Sequence, residues 1–257
     1  MSVEASVRRF LVAIGVVILL LIVAAVVLVR MKGPAMLSSL FPTPSPDLMY
    51  PPAPAMPPVV PVSVDDLLAT YETFLKAKAP SVFAALQPGL GDSEIDKLEA
   101  AHTIKLTGDL RALYRWRNGT PRSANLDTFP NHEFIPLDVA LSNREELRKQ
   151  VKAGTAEQQQ AYAAFAGHRD AWLGLIVDLA GDGHFFDPAK AESEGSFFFC
   201  FNEDGSYVFY PAFRNYLAAV VEGEKIGMFV AGTRGVDTAD FAKAQALWQK
   251  FGAAPRR

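Results

Sequence analysis

Twenty consecutive residues, Phe10 to Val29, contain no charged side chain and no proline. At about 1.5 Å per residue, a helix of that length spans about 30 Å, the thickness of a bilayer core. Arg8 and Arg9 flank one end, and Arg30 and Lys32 the other, where their charges can stay in water. A cleaved signal peptide has a shorter apolar region and a small-residue cleavage site, but here Arg30-Met31-Lys32 follows directly. The segment therefore reads as an uncleaved single-pass anchor over 10–29, behind a tail of residues 1–9. The flanking charges nearly balance, so the positive-inside rule hardly separates the two orientations. The short tail and the long linker favour an N-terminus in the cytoplasm and a soluble domain on the outer side.

The next segment constrains the chain differently. Residues 33–62 hold ten of its eighteen prolines. Proline lacks the N–H and clashes with the preceding helical turn, so this stretch predicts extended polyproline II. It reads as a spacer over 30–62; a docking site for a polyproline-binding partner is the alternative. Residues 63–257 remain for one soluble domain. Residues 1–62 carry four basic and two acidic side chains, so of the net charge of −3 the remainder carries −5. A mildly acidic domain does not favour nucleic-acid binding, which relies on basic patches. The single cysteine, Cys200, lies in Phe197-Phe198-Phe199-Cys200-Phe201 and reads as a buried core thiol.

Within the domain, Leu67, Leu68, Tyr71, Phe74 and Leu75 recur at helical spacing, with Ser63 as cap and Pro80 as stop. Residues 91–101 and 109–117 predict two more helices, the second stopped by Asn118-Gly119. Ser142-x-x-Glu145 and Thr155-x-x-Gln158 read as capping boxes that open helices over 143–152 and 156–166. The period then changes. Strands are predicted near 133–137, 172–178, 183–187, 197–202 and 206–210, with Asn202-Glu203-Asp204-Gly205 as a hairpin turn. Helices resume around Phe213–Val221 and Phe241–Phe251. Helices, then strands, then helices predict an α+β domain: one central, largely antiparallel sheet with helices mainly on one side.

Three strings carry a resemblance. They are Leu86-Gln87-Pro88-Gly89-Leu90-Gly91-Asp92-Ser93-Glu94-Ile95 followed by Leu98-Glu99, the run from Ile104 to Gly119, and Trp172 to Pro188. Together they resemble the SUKH superfamily, which includes the Smi/Knr fungal cell-wall assembly regulators and bacterial toxin-immunity proteins. The resemblance spans about residues 65–225. It departs at Thr107, where the family usually has proline, and at Gly91, where it usually has Ser or Thr. The resemblance implies a binding module whose partner is a protein, either a toxin or an envelope-assembly component.

Candidate chemistry is sparse. Asp178, Asp182, His184 and Asp187 crowd a glycine turn, but their spacing fits no calcium loop or zinc pattern, and polar turn residues are the plainer reading. His102, His132 and His168 are scattered and read as surface or capping residues. Arg111 and Arg115 share a helix face at i, i+4, with Asp109 nearby to offset their charge, and Trp116 adjoins them. As possible partner-binding residues the sequence offers Arg111, Arg115, Trp116, Asp178 and Asp182. Hydrolase, P-loop, zincin and dinucleotide motifs are all absent, so neither catalytic residues nor a cofactor or metal site is assigned. The sequence thus predicts a membrane-anchored protein-binding module and not an enzyme. An anchored envelope hydrolase and a purely structural tether are the alternatives.

Overall fold

The apolar stripe of the first predicted helix forms α1, Val64–Lys78, and is buried along its length. The Ser63 hydroxyl accepts a hydrogen bond from the Asp66 N–H at 3.1 Å, as an N-cap should. Pro80 ends α1 and at once begins α2, Pro80–Ala85, because a proline in the first turn forfeits no helical hydrogen bond. This computed structural model describes residues 56–156, 159, 171–190, 195–201 and 207–252. The predicted anchor and most of the proline-rich spacer lie outside the described residues. Among the described residues no helix is long and apolar enough to cross a membrane.

The two departures from the family pattern have local remedies. Helix α3, Asp92–His102, starts after Gly91, which has no side chain to cap it. Glu94 reaches back instead, and its Oε2 accepts the Gly91 N–H at 2.7 Å. Helix α4, Gly108–Trp116, starts after Thr107, whose hydroxyl accepts from the Leu110 N–H. A threonine there caps the helix that a proline would only preset. After α4, Gly119 takes φ +67°, and a Cβ would lie 2.6 Å from the Phe134 carbonyl oxygen. Left-handed backbone and close approach together require glycine at this position.

The first capping-box expectation fails. Ser142 lies inside one longer helix, α5, Leu137–Ala153, which starts directly after Pro136. Its first N–H, on Leu137, donates to the Asn118 side-chain oxygen at 2.9 Å, so the cap comes from 19 residues upstream. Most of the second predicted helix, 156–166, lies outside the described residues.

All five predicted strands join one sheet. β1 (Glu133–Phe134), β2 (Leu173–Val177), β3 (Gly183–Phe186), β4 (Phe197–Cys200) and β5 (Tyr207–Tyr210) pair antiparallel in that order. The register slips between Gly174 and Ile176, bulging β2. His184 pairs with Phe199, and Phe199 with Val208; Phe186 pairs with Phe197, and Phe197 with Tyr210. Partners across an antiparallel ladder share a face, and alternate residues along a strand share it too. His184, Phe197, Phe199 and Tyr210 therefore stand on one face. Phe185, Phe198 and Phe209 stand on the other, where Trp172 meets Phe198 edge-on at 4.7 Å.

Helix α6, Phe213–Lys225, lies on the first face and inserts Tyr216 against His184, Phe197 and Tyr210. A two-stranded hairpin follows, β6 (Phe229–Ala231) with β7 (Val236–Thr238), and then α7, Phe241–Phe251. The sequence reading missed this hairpin, although Gly232 and Gly235 bracket a four-residue loop of the kind that joins strands. The described residues all fall in one compact unit, Ala53–Arg257. The end of the spacer belongs to it: the buried Asn215 side chain donates to the Pro58 carbonyl at 2.9 Å and accepts from the Val60 N–H.

Asp109 does not offset Arg111 and Arg115, contrary to the expectation from sequence. It is buried at the second position of α4 and faces α6. Its carboxylate accepts from the Arg214 backbone N–H at 3.2 Å, from Arg214 Nε at 2.9 Å and from Arg214 Nη2. Helix α6 has no side-chain cap of its own, so Asp109 serves as one from 105 residues away. Removing one partner of a fully buried pair costs about 3–5 kcal/mol. Arg214 is partly exposed, so Asp109→Ala is expected to lose about 2–3 kcal/mol in urea unfolding. Asp109→Asn, which keeps an acceptor, should lose less.

Candidate functional site

The five residues offered as partner-binding do not converge. Arg111 is largely buried and already neutralised: it bonds Glu99 at 2.9 Å, Asp96 at 2.8 Å and Asp92 at 3.3 Å. Glu99 is itself buried, and it also accepts the Leu106 N–H at 2.9 Å. This network ties α3 to α4 and holds no free cation at Arg111. Arg115 is more exposed and pairs with Asp92 at 3.2 Å. Trp116 donates its indole N–H to Glu72 on α1 at 2.6 Å. Arg115 and Trp116 line a shallow cleft with Glu72 and Lys76.

Asp178 and Asp182 lie on the β2–β3 turn. The Asp178 side-chain oxygen accepts the backbone N–H groups of Ala180 at 2.8 Å and Asp182 at 2.9 Å. The Asp178 N–H donates back to the Asp182 carbonyl. Asp178 thus braces the turn, and Asp187 does the same one strand later by accepting the Ala189 N–H. A side-chain acceptor is what the turn needs from Asp178. Asp178→Ala should cost about 1–2 kcal/mol in thermal or urea unfolding, and Asp178→Asn much less. A loss in the Asn variant equal to that in Ala would mean that the carboxylate charge matters.

A further enclosed site lies where the sheet, α7 and the turn before β1 meet. A cavity of about 350 Å³ is lined by His132, His184, Phe199, Tyr210, Tyr216 and Trp248, with Phe201 and Phe241 at its rim. Among the described residues, no lysine, arginine, aspartate or glutamate lines it. His132 reaches the cavity through a tight turn in which Phe129 and His132 exchange both backbone hydrogen bonds. Asn131 takes φ +62° there and donates its own N–H to the Val236 carbonyl. The sequence suggests a surface or capping residue at His132; in the fold it is half-buried, its ring edge-on to those of His184 and Phe199.

Both histidines are held neutral. Burial pushes His184 well below the ordinary imidazole range. Burial also lowers His132, opposed by the Pro130 carbonyl and by the charges of Asp178, Asp127 and Asp182. His132 Nδ1 lies 2.7 Å from the Pro130 carbonyl oxygen. A carbonyl can only accept, so the proton is on Nδ1, and Nε2 is left as a bare acceptor. That Nε2 and His184 Nδ1 are buried without hydrogen-bond partners. Each such atom costs about 1–3 kcal/mol. Their place on the buried face follows from strand alternation at His184, a signal present in the sequence; for His132 no such signal exists.

The tyrosines divide into two kinds. Tyr71 donates to the Thr128 carbonyl at 2.6 Å, and Tyr114 to the Ile135 carbonyl at 3.1 Å. Among the described residues, the hydroxyls of Tyr210 and Tyr216 make no hydrogen bond, although both side chains are buried and both line the cavity. Burial pushes both phenols above their ordinary range, so they remain neutral donors.

Because the folded state keeps both histidines neutral, acid favours the unfolded chain. Below about pH 6.5 the unfolded imidazoles take up protons that the folded ones refuse. Stability is expected to fall as pH drops from about 6.5 toward the depressed folded values. Asp127 and Glu133, raised by burial against the pull of Arg234, contribute the opposite sign. Urea unfolding at pH 7.5, 6.0 and 5.0 measures the slope, and His184→Gln should flatten it.

Comparison with known proteins follows the same segments. The model of the SMI1 / KNR4 family (SUKH-1) matches residues 89–219, from the loop before α3 through most of α6. No curated protein matches the chain.

Proposed function

The chain belongs to the SMI1 / KNR4 family (SUKH-1), and from that premise we propose that it is a membrane-anchored protein-binding module, acting as a toxin-immunity protein or a regulator of cell-envelope assembly. The family match over 89–219 carries this reading, because domains of this family are in general protein-interaction modules. Of the three strings quoted from the sequence, the second and third fall within the match, and so does the first from Gly89 onward. The anchor rests on the apolar run Phe10–Val29, and the spacer on the prolines that follow. We place the soluble domain on the outer side, where it would meet a toxin or an assembly component of the envelope.

The geometry supports binding over catalysis by what it uses up. Arg111 is spent on Glu99, Asp96 and Asp92, and Asp178 on its own turn. What the surface does offer is exposed apolar area. Leu179, on the β2–β3 turn, is 74% exposed, and Phe241, at the start of α7, is 70% exposed. Large apolar side chains that face outward are the natural anchors for a protein partner.

The test uses the full-length chain, affinity-tagged and extracted from membranes. A partner protein should be retained, and Leu179→Glu or Phe241→Glu should lower its recovery at least tenfold while unfolding stays within about 0.5 kcal/mol of the parent. Removing residues 10–29 should release the chain from the membrane fraction. Recovery of no partner, alongside turnover of an envelope substrate, would reverse the reading in favour of the hydrolase.

A further inference from the structure

We propose that the cavity between the sheet and α7 is a binding site for a small, uncharged, planar molecule that carries a hydrogen-bond acceptor, such as an aromatic amide. The proposal goes beyond the protein-partner reading and is independent of it.

The size is that of a ligand site. At about 350 Å³ the space lies at the lower end of pockets that hold small molecules, which limits the occupant to one ring or a fused pair. Its walls select the shape. Phe199, Tyr210, Tyr216 and Trp248 are aromatic, and Trp248 stacks on Phe229 at 5.8 Å, which fixes its plane. Flat faces of this kind favour a flat occupant.

The charge pattern selects neutrality. Among the described residues no lysine, arginine, aspartate or glutamate lines the cavity, and burial lowers both imidazoles below their ordinary range. A carboxylate or ammonium would have to shed its water with no counter-charge to meet.

The unspent hydrogen-bonding groups select the polar edge. A buried tyrosine hydroxyl usually finds a partner, as Tyr71 and Tyr114 do. Tyr210 and Tyr216 make no side-chain hydrogen bond among the described residues; their side chains line the cavity and their hydroxyl oxygens are not fully buried, so water or a ligand can reach them. Two neutral phenols call for an acceptor on the ligand, a carbonyl oxygen or a ring nitrogen. Thr238, Gln245 and Gln249 lie in the same lining and can serve an N–H group on the same edge.

The experiment is calorimetric titration and thermal shift of the full-length chain with benzamide, with benzoate and cyclohexanecarboxamide as controls. Benzamide should bind saturably and raise the melting temperature. Benzoate, which is charged, and cyclohexanecarboxamide, which is not planar, should each bind at least tenfold more weakly. Tyr210→Phe/Tyr216→Phe keeps the shape and removes both hydroxyls; it should melt no lower than the parent yet weaken benzamide at least fivefold. Ala244→Leu should block the space and abolish binding; if that variant fails to fold, the tyrosine pair decides alone. Absence of saturable benzamide binding, equal binding of benzoate, or unchanged affinity in the tyrosine variant would overturn the proposal. Each of these results leaves the membrane-capture assay untouched, so the two readings fail separately.

Discussion

One carboxylate, Asp109, holds the two halves of this domain in register. It stands in the first turn of α4, where a negative charge suits the positive end of the helix, and it meets the first turn of α6 in the same way. A single buried group thus serves two helix N-termini, and the Arg214 guanidinium closes the third side. The geometry of α6 depends on it, because Ala212 offers no cap. From α6 projects Tyr216, whose ring centroid lies 3.8 Å from that of His184. The distance between helix and sheet, and so the shape of the aromatic cavity, follows from where Asp109 places α6.

Around this joint the charged groups are used to hold elements together. Glu99 and Arg111 join α3 to α4, His102 and Glu145 join α3 to α5, and Arg234 spans Asp127 and Glu133 beside the hairpin. The same economy removes most of the residues whose chemistry stands out in the sequence. Arg111 and Asp178 look like surface groups in a string of letters, and each is committed to its own fold. Among the described residues, groups left without a hydrogen bond in the cavity lining include His132 Nε2, His184 Nδ1 and the phenols of Tyr210 and Tyr216.

Much of this fold could be read in advance, for reasons specific to each element. Helix α1 declares itself through an apolar stripe, a serine cap and a proline stop, all local signals. The five strands were legible because their runs are short, aromatic and separated by glycine or acidic turns. Helix α5 was misplaced because its cap is the Asn118 side chain, which lies far away in sequence, while the nearer Ser142 offered a false start. The β6–β7 hairpin was missed because three-residue strands carry too little periodicity to register. That omission hid part of the cavity as well, since Thr238 of β7 lines it.

By itself the sequence determined what depends on neighbours along the chain: the apolar segment Phe10–Val29, the proline-rich spacer, the helix and strand periods, and the α3–α4 and β2–β3 motifs that mark the family. Only the tertiary structure decided what depends on partners far apart. It turned Asp109 toward Arg214 and away from Arg111, and it spent Arg111 on α3. It set the His132 ring beside that of His184 and placed Tyr210 and Tyr216 in the lining of one cavity. The physical reason is the range of the forces involved. Periodicity and capping act over three or four residues and are written in the local string. The choice of ionic partner, and the exclusion of water from a histidine or a phenol, are settled only when segments about 100 residues apart are packed together.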